Sequence, residues 1–126
     1  MRGHAAPVRR LSAGWVLASG DTSGVVKVWD VERGACVSTL ARHIDSVTAL
    51  GAVNESVLLS GSADRRVCLW DLRTACVVSE YEGDSSVRAA ATNGVHVAVG
   101  YETGKLEVYR ICQSTRWQQF RRSGMD

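Results

Sequence analysis

The chain has 126 residues, 45% of them hydrophobic and 22% charged, with a formal net charge of +2. Those values fit one ordinary globular domain and exclude extended disorder. They lack the broad basic excess of a nucleic-acid surface, and no apolar run is long enough to span a bilayer. Arginines gather near the two ends, as Arg2, Arg9 and Arg10 and as Arg116, Arg121 and Arg122. They read as solvated terminal charge. Nucleic-acid binding through them is the weaker alternative, and it predicts salt-sensitive binding that is lost on deleting residues 113–126.

The N-terminal stretch up to Gly20 has no acid, several arginines and an apolar run over residues 11–18, a composition shared with secretory and mitochondrial leaders. Ser12 and Gly14 interrupt that run, so the stretch is expected to be part of the fold. Residues 8–12, 16–20, 25–30 and 36–40 read as strands, separated by Ala13-Gly14, Thr22-Ser23-Gly24 and Glu32-Arg33-Gly34. Residues 47–51, 57–61, 66–71 and 77–81 follow the same plan. The glycosylation sequon Asn54-Glu55-Ser56 falls between two of these and is read as a turn. Residues 87–92 and 95–100 flank Asn93-Gly94, a two-residue hairpin signal, and residues 105–110 form the next strand. Trp117 to Phe120 fall where one further strand belongs. They either complete that set or are unrelated sequence that frays, and the residues leave both readings open.

The strands are rich in Val, Leu and Ala, the only proline is Pro7, and no segment has helical periodicity. The class is therefore all-β. Many strands are apolar on both faces, as expected when a sheet is sandwiched between two others. The four cysteines, Cys36, Cys68, Cys76 and Cys112, lack the close paired spacing of a zinc site. Cys36 and Cys76, at nearly equivalent places, are expected to be small buried residues at strand starts. All four are expected to be reduced thiols of an intracellular protein, cytoplasmic or nuclear.

These strand sets repeat. Val16-Leu17-Ala18-Ser19-Gly20 leads to Val25-Val26-Lys27-Val28-Trp29-Asp30, and Val57-Leu58-Leu59-Ser60-Gly61 leads to Val67-Cys68-Leu69-Trp70-Asp71. More weakly, His96-Val97-Ala98-Val99-Gly100 leads to Lys105-Leu106-Glu107-Val108-Tyr109. The anchors Trp29, Trp70 and Tyr109, and likewise His4 and His43, recur at about forty residues, the signature of an array whose units bury their faces against one another.

Gly3-His4, Ser19-Gly20 and Trp29-Asp30 in the first unit, and His43, Ser60-Gly61, Asp64 and Trp70-Asp71 in the second, resemble WD repeats. The resemblance covers residues 3–112. It implies a β-propeller in which each unit is a four-stranded antiparallel blade held by a buried His–Ser–Asp–Trp hydrogen-bonded tetrad, here His43, Ser60, Asp64 and Trp70. In the first unit Ser23 stands at the Asp position, so His4, Ser19 and Trp29 are expected to form a weaker network. In the third, Gly83, Val99, Thr103 and Tyr109 replace all four members, and that blade is expected to rely on apolar packing alone. Complete propellers have about four to eight blades, and this sequence supplies about three. A partial propeller with an unclosed ring is expected over residues 1–121, with blades near 1–41, 42–81 and 82–121 and a tail at 122–126. Such a chain is a truncated product that needs the rest of a ring, or one that self-associates through its open blade faces.

For function, no Gly-rich phosphate loop or catalytic carboxylate pair stands out. Cys68 with His43 or His96 as nucleophile and base is outweighed by their structural positions. The resemblance implies a non-catalytic protein-interaction scaffold without cofactor or metal. Candidate partner contacts are Arg9, Arg42, Asp45, Asp84 and Arg88, grouped as loop residues at one rim. Trp70-Asp71-Leu72-Arg73 also resembles the Trp-Asp-x-Arg box of substrate receptors of cullin–RING ubiquitin ligases. There the Arg reaches an acidic adaptor surface, where a planar guanidinium can bind in bidentate fashion. Asp71 and Arg73 are the residues so implied. The first unit has Glu32 at the corresponding place, and an N-terminal F-box in a parent protein is compatible with the resemblance.

Overall fold

A computed structural model describes residues 4, 6–12, 17–111 and 117–119, with side chains for these except Arg9, Ser12 and 117–119. The described residues form three antiparallel sheets of four strands, each a meander in chain order. The first holds β1 (Val8–Ser12), β2 (Leu17–Asp21), β3 (Val25–Asp30) and β4 (Ala35–Ala41). The second holds β5 (Val47–Ala52), β6 (Val57–Ser62), β7 (Arg66–Asp71) and β8 (Cys76–Glu82). The third holds β9 (Val87–Thr92), β10 (His96–Tyr101), β11 (Leu106–Ile111) and β12 (Trp117–Gln119). The architecture is all-β, with propeller-like blades and no closed ring. Of the two readings of the tail, strand completion is the one seen: Gln119, Gln118 and Trp117 pair with Tyr109, Arg110 and Ile111.

Each sheet carries the same irregularity. The ladder shifts between Val8 and Arg10, between Val47 and Ala49, and between Gly100 and Tyr101. The shift sets Asp21, Ser62 and Tyr101 opposite Val8, Val47 and Val87, extending the second strand of each blade by one residue beyond Gly20, Gly61 and Gly100. A β-bulge of this kind re-aims the side chain at the strand end, and it does so here at the place where the polar networks begin.

Blades stack through small-into-large contacts. A Cβ on Gly20 would lie 2.5 Å from Val47 Cγ1, and one on Gly61 would lie 2.9 Å from Val87 Cγ1. Glycine here is a matter of space, and it lets neighbouring sheets close up. Two cores result. One joins Ala18, Val26, Val28 and Leu40 of the first blade to Val47, Leu58, Cys68 and Trp70 of the second. The other joins Leu59, Val67 and Leu69 of the second to Val87, Val97, Val99 and Tyr109 of the third. Every residue of β6 is buried, as expected for a strand sandwiched on both faces. Each fully buried Leu or Val there contributes about 1.5–3 kcal/mol relative to exposure.

Two details depart from the sequence reading. Among the described cysteines Cys36 and Cys76 are exposed and Cys68 is buried, while Cys112 lies outside the described residues. The first residues of the outermost strands β4 and β8 are exposed at the sheet edge. In the Asn93-Gly94 turn only Gly94 has positive φ, at +94°. Asn93 acts through its side chain, Oδ1 accepting from Val95 N–H at 2.9 Å and His96 N–H at 2.8 Å. The turn is an Asx turn, since the two-residue type I′ hairpin needs positive φ at both positions. Finally, Arg65 and Ala75 take φ of 74° and 58° at the places where the first blade has Gly24 and Gly34, a left-handed conformation that costs a non-glycine residue about 1–2 kcal/mol.

Candidate functional site

The second blade holds the complete tetrad. Trp70 Nε1–H donates to Ser60 Oγ at 2.8 Å, and Ser60 Oγ lies 2.7 Å from His43 Nε2. An indole N–H is donor only, so the Ser60 hydroxyl accepts from it and passes its own proton toward Nε2. That fixes the tautomer: His43 Nδ1–H donates to Asp64, with Oδ2 at 3.2 Å and Oδ1 at 3.3 Å. Asp64 also accepts from Ile44 N–H and Arg66 N–H, both at 2.9 Å. Burial lowers the His43 pKa and outweighs the raising effect of the Asp64 charge, so the imidazole stays neutral. Burial works against the Asp64 carboxylate too, but the two backbone N–H donors and the His43 contact hold its pKa below the usual value.

The first blade's network is complete, with a carboxylate where the sequence reading places only Ser23. His4 Nδ1–H donates to Asp21 Oδ2 at 2.7 Å, His4 Nε2 lies 2.5 Å from Ser19 Oγ, and Trp29 Nε1–H donates to Ser19 Oγ at 2.8 Å. The missing carboxylate comes from Asp21, two residues before Ser23. Asp21 Oδ1 accepts from Ser23 N–H, Ser23 Oγ–H and Val25 N–H. Although burial opposes it, the Ser23 hydroxyl and the Val25 amide are foremost in lowering the Asp21 pKa. The blades use the same pair in opposite order, Asp21-x-Ser23 against Ser62-x-Asp64, in which Asp64 N–H donates to Ser62 Oγ. The reversed order of Asp and Ser was visible in the sequence and was the signal that could have revealed Asp21.

The third blade is not held by apolar packing alone. Glu107 is 3% exposed and its Oε1 accepts from Tyr109 Oη–H at 2.7 Å. Tyr81, reaching over from β8, donates to Glu107 Oε2 at 3.5 Å, and its ring sits 4.8 Å from that of Tyr109. Lys105 Nζ lies 3.8 Å from Glu107 Oε2. Tyr101 fills the room that a histidine would take. A Cβ on Gly83, which stands at the His position, would lie 2.3 Å from Tyr101 Cε1. Burial, with the neighbouring Glu107 carboxylate adding to it, raises the phenol pKa of Tyr101 and Tyr109. Tyr81, Tyr101 and Glu107 escaped sequence reasoning because they occupy none of the tetrad positions.

The candidate partner residues do not share one rim. Arg9 and Arg88 lie in strands β1 and β9, on the innermost edge of the blades, and the Arg9 side chain is outside the described residues. Arg88 lines a cavity of about 360 Å³ with Arg10, Ser46, Thr48, Ser86 and Glu102. Arg42 is committed to Glu80 through Nε–Oε1 at 2.8 Å and Nη2–Oε2 at 2.9 Å. Asp84 pairs with Lys105 at 3.3 Å, and exposed Asp45 accepts from Ser46 N–H at 2.7 Å. Asp45 and Asp84 belong with the β6–β7 turn, where Ala63 N–H donates to Ser46 O. Arg73 lies at the opposite rim, where Leu72 N–H donates to Ser56 O at 2.9 Å. Of the terminal arginines, Arg10 donates from Nε to Thr48 O at 2.7 Å, bridging two blades, while Arg2, Arg116, Arg121 and Arg122 are outside the described residues.

The family model for the WD domain, G-beta repeat, matches residues 1–30 and 34–71. The chain belongs to the WD40-repeat family. It is 43% identical over 63 residues to the APC/C activator protein CDH1 of Saccharomyces cerevisiae, covering 50% of this chain and 11% of that protein. It is 33% identical over 92 residues to Pre-mRNA-processing factor 19 of Oryza sativa subsp. japonica, covering 69% and 18%. The chain thus spans less than a fifth of the length of these curated relatives. Among solved structures, the β-propeller domain of Cps50 (Swd1) from Myceliophteria thermophila superposes with a TM-score of 0.74 at 27% identity, covering 90% of this chain and 38% of that one. The computationally designed Ika4 protein gives 0.88 at 25% identity, covering 100% and 78%.

WD40 propellers are typically interaction scaffolds, and the networks above fix the blades from which the turns project. Cys68, considered as a nucleophile, is fully buried, and burial followed by the Glu80 charge pushes its thiol up to about 12. A thiol so placed supplies almost no thiolate at neutral pH.

Proposed function

We propose that this WD40 chain is a non-catalytic protein-interaction scaffold working inside the cell, and that the Trp70-Asp71-Leu72-Arg73 turn is its contact with an adaptor of a cullin–RING ubiquitin ligase. The observation that carries the reading is the combination of an exposed Arg73 with a fixed turn backbone. Asp71 Oδ1 accepts from Arg73 N–H at 2.9 Å, and Ser56 O accepts from Leu72 N–H at 2.9 Å. Glu55, Ser56, Leu72 and Arg73 line a shallow depression of about 410 Å³ beside it. A guanidinium on an anchored turn loses less conformational entropy on meeting an acidic surface than one on a loose loop. The first blade has exposed Glu32 at the equivalent place, which restricts the contact to one blade.

The test is capture of the purified ligase adaptor by the chain and by Arg73→Asp. Charge reversal at a bidentate contact is expected to abolish capture while leaving the tryptophan spectrum of the fold intact. Equal capture by both chains removes the adaptor reading and leaves the scaffold reading standing.

A further inference from the structure

The cavity of about 360 Å³ beside Arg88 is walled by the innermost parts of all three described sheets. Arg10 comes from β1, Ser46 and Thr48 from the start of β5, and Ser86, Arg88 and Glu102 from the third blade. The ladder shifts help to build it. Where β5 and β9 shift register, Thr48 and Arg88 are the residues left without a cross-strand partner. A bulge re-aims the side chain it carries, and both of these line the cavity.

The polar wall is unevenly committed. Thr48 Oγ–H donates to Val87 O at 2.6 Å, and Ser86 Oγ–H donates to Ala63 O at 2.8 Å. Arg10 Nε–H donates to Thr48 O at 2.7 Å, which holds that guanidinium against the wall. The Ser46 hydroxyl oxygen is buried, yet it has no hydrogen-bond partner among the described residues. A hydroxyl so placed costs stability until an acceptor reaches it. Arg33, Arg42, Arg65 and Arg66 each have a carboxylate within ion-pair distance. Arg88 pairs with none among the described residues.

We propose that this cavity receives the carboxylate side chain of an acidic peptide, with Ser46 Oγ–H and the Arg10 and Arg88 guanidiniums as its donors. Two guanidiniums against the Glu102 carboxylate leave one net positive charge at the wall, which a singly charged carboxylate neutralises. A doubly charged phosphate would exceed that charge and face Glu102, a like-charge contact. The surroundings suit a peptide better than a free anion. Two residues before Ser46, Ile44 is 77% exposed. Its segment is pinned from beneath, Ile44 N–H donating to Asp64 Oδ2 at 2.9 Å and Ser62 Oγ–H to Ser46 O at 2.9 Å. A fixed apolar side chain beside a cationic cavity matches a peptide that carries an apolar residue next to its acid. Every wall belongs to the described sheets, and the orphan hydroxyl comes from the middle one. The proposal rests on the scaffold reading and is independent of Arg73, which lies at the opposite rim, so either contact can fail alone.

The experiment is titration of the isotope-labelled full chain with the capped peptide Gly-Leu-Ser-Glu-Ser-Leu-Gly, followed by NMR shifts of backbone amides and arginine side chains. Saturable shifts are expected within 44–48 and 86–88 and at Glu102. Replacing the peptide's Glu by Gln is expected to weaken binding at least about fivefold. Arg88→Gln changes an exposed side chain, and Ser46→Ala removes a hydroxyl that the fold leaves unpaired, so both should retain the near-ultraviolet dichroism of the parent. Each is expected to weaken the Glu peptide at least about threefold. The phosphoserine counterpart should bind no tighter than the Glu peptide. No saturable binding, shifts centred elsewhere, equal binding of the Glu and Gln peptides, tighter binding of the phosphoserine peptide, or unchanged affinity in either variant would each overturn the proposal.

Discussion

Ser60→Ala removes one oxygen that serves two buried partners. Trp70 Nε1 loses its acceptor at 2.8 Å, and His43 Nε2 loses the hydroxyl at 2.7 Å. Ser60 is 0% exposed and Trp70 is 3% exposed, so water reaches neither orphan without opening the blade. Two bonds worth about 0.5–1.5 kcal/mol each are lost, and an unsatisfied buried group costs about 1–3 kcal/mol. These contributions overlap, and a net loss of about 2–4 kcal/mol is expected. Ser19→Ala breaks the same bonds in the first blade, but there they are only partly buried. Trp29 is half-buried where Trp70 is buried, so water reaches its indole N–H more readily and the loss should be smaller, about 1–2 kcal/mol. Urea unfolding at low protein concentration, followed by tryptophan fluorescence, reads both, with a midpoint shift at constant slope marking a stability change. Equal losses from the two variants, or less than about 1 kcal/mol from Ser60→Ala, would refute the view that burial sets the worth of this network.

The fold makes two further predictions. Gly24→Ala puts a side chain at φ +93° and 2.4 Å from His43 O, a backbone atom that cannot step aside. It should cost more than about 2 kcal/mol by the same unfolding assay, the left-handed strain alone accounting for about 1–2. Gly51→Ala, whose Cβ would meet Thr92 Cγ2 at an ordinary 3.5 Å, should stay within about 0.5 kcal/mol of the parent. Acid should weaken the chain in two stages. Burial keeps the His43 pKa below its usual 6.5, so the unfolded chain binds a proton that the fold resists, and stability falls as pH drops below 6.5. The lowered pKa values of Asp64 and Asp21 add stability that is present above 3.8 and lost as pH falls from there toward their folded values. A transition midpoint that rises on acidification from about pH 7 to 5 would contradict the neutral His43 assignment.

Much of the fold was legible because the repeat is written in local chemistry. Alternating Val and Leu runs, turn residues at fixed offsets and the Trp anchors specify strand, turn and period from near neighbours alone. The tetrad of the second blade was readable because all four members sit at their family positions. The Asp21 network was hidden by a two-residue exchange. Asp21 and Ser23 lie on the same side of one tight turn, so a carboxylate from either place reaches the same histidine. The Tyr81, Tyr101 and Glu107 cluster was hidden for a different reason: its members come from two blades, and Tyr101 enters because Gly83 leaves space.

The sequence alone therefore determined the class, the blade plan and the glycine positions, since these follow from backbone propensity and side-chain volume within a few residues. The tertiary structure decided which buried polar groups meet, that Cys36 and Cys76 face solvent while Cys68 does not, and that Arg73 stands at the rim opposite Asp45. It also decided that Val8 is half exposed where Val47 and Val87 are buried. These are distances across and between sheets, set by how one blade stacks on the next, and no local pattern encodes them.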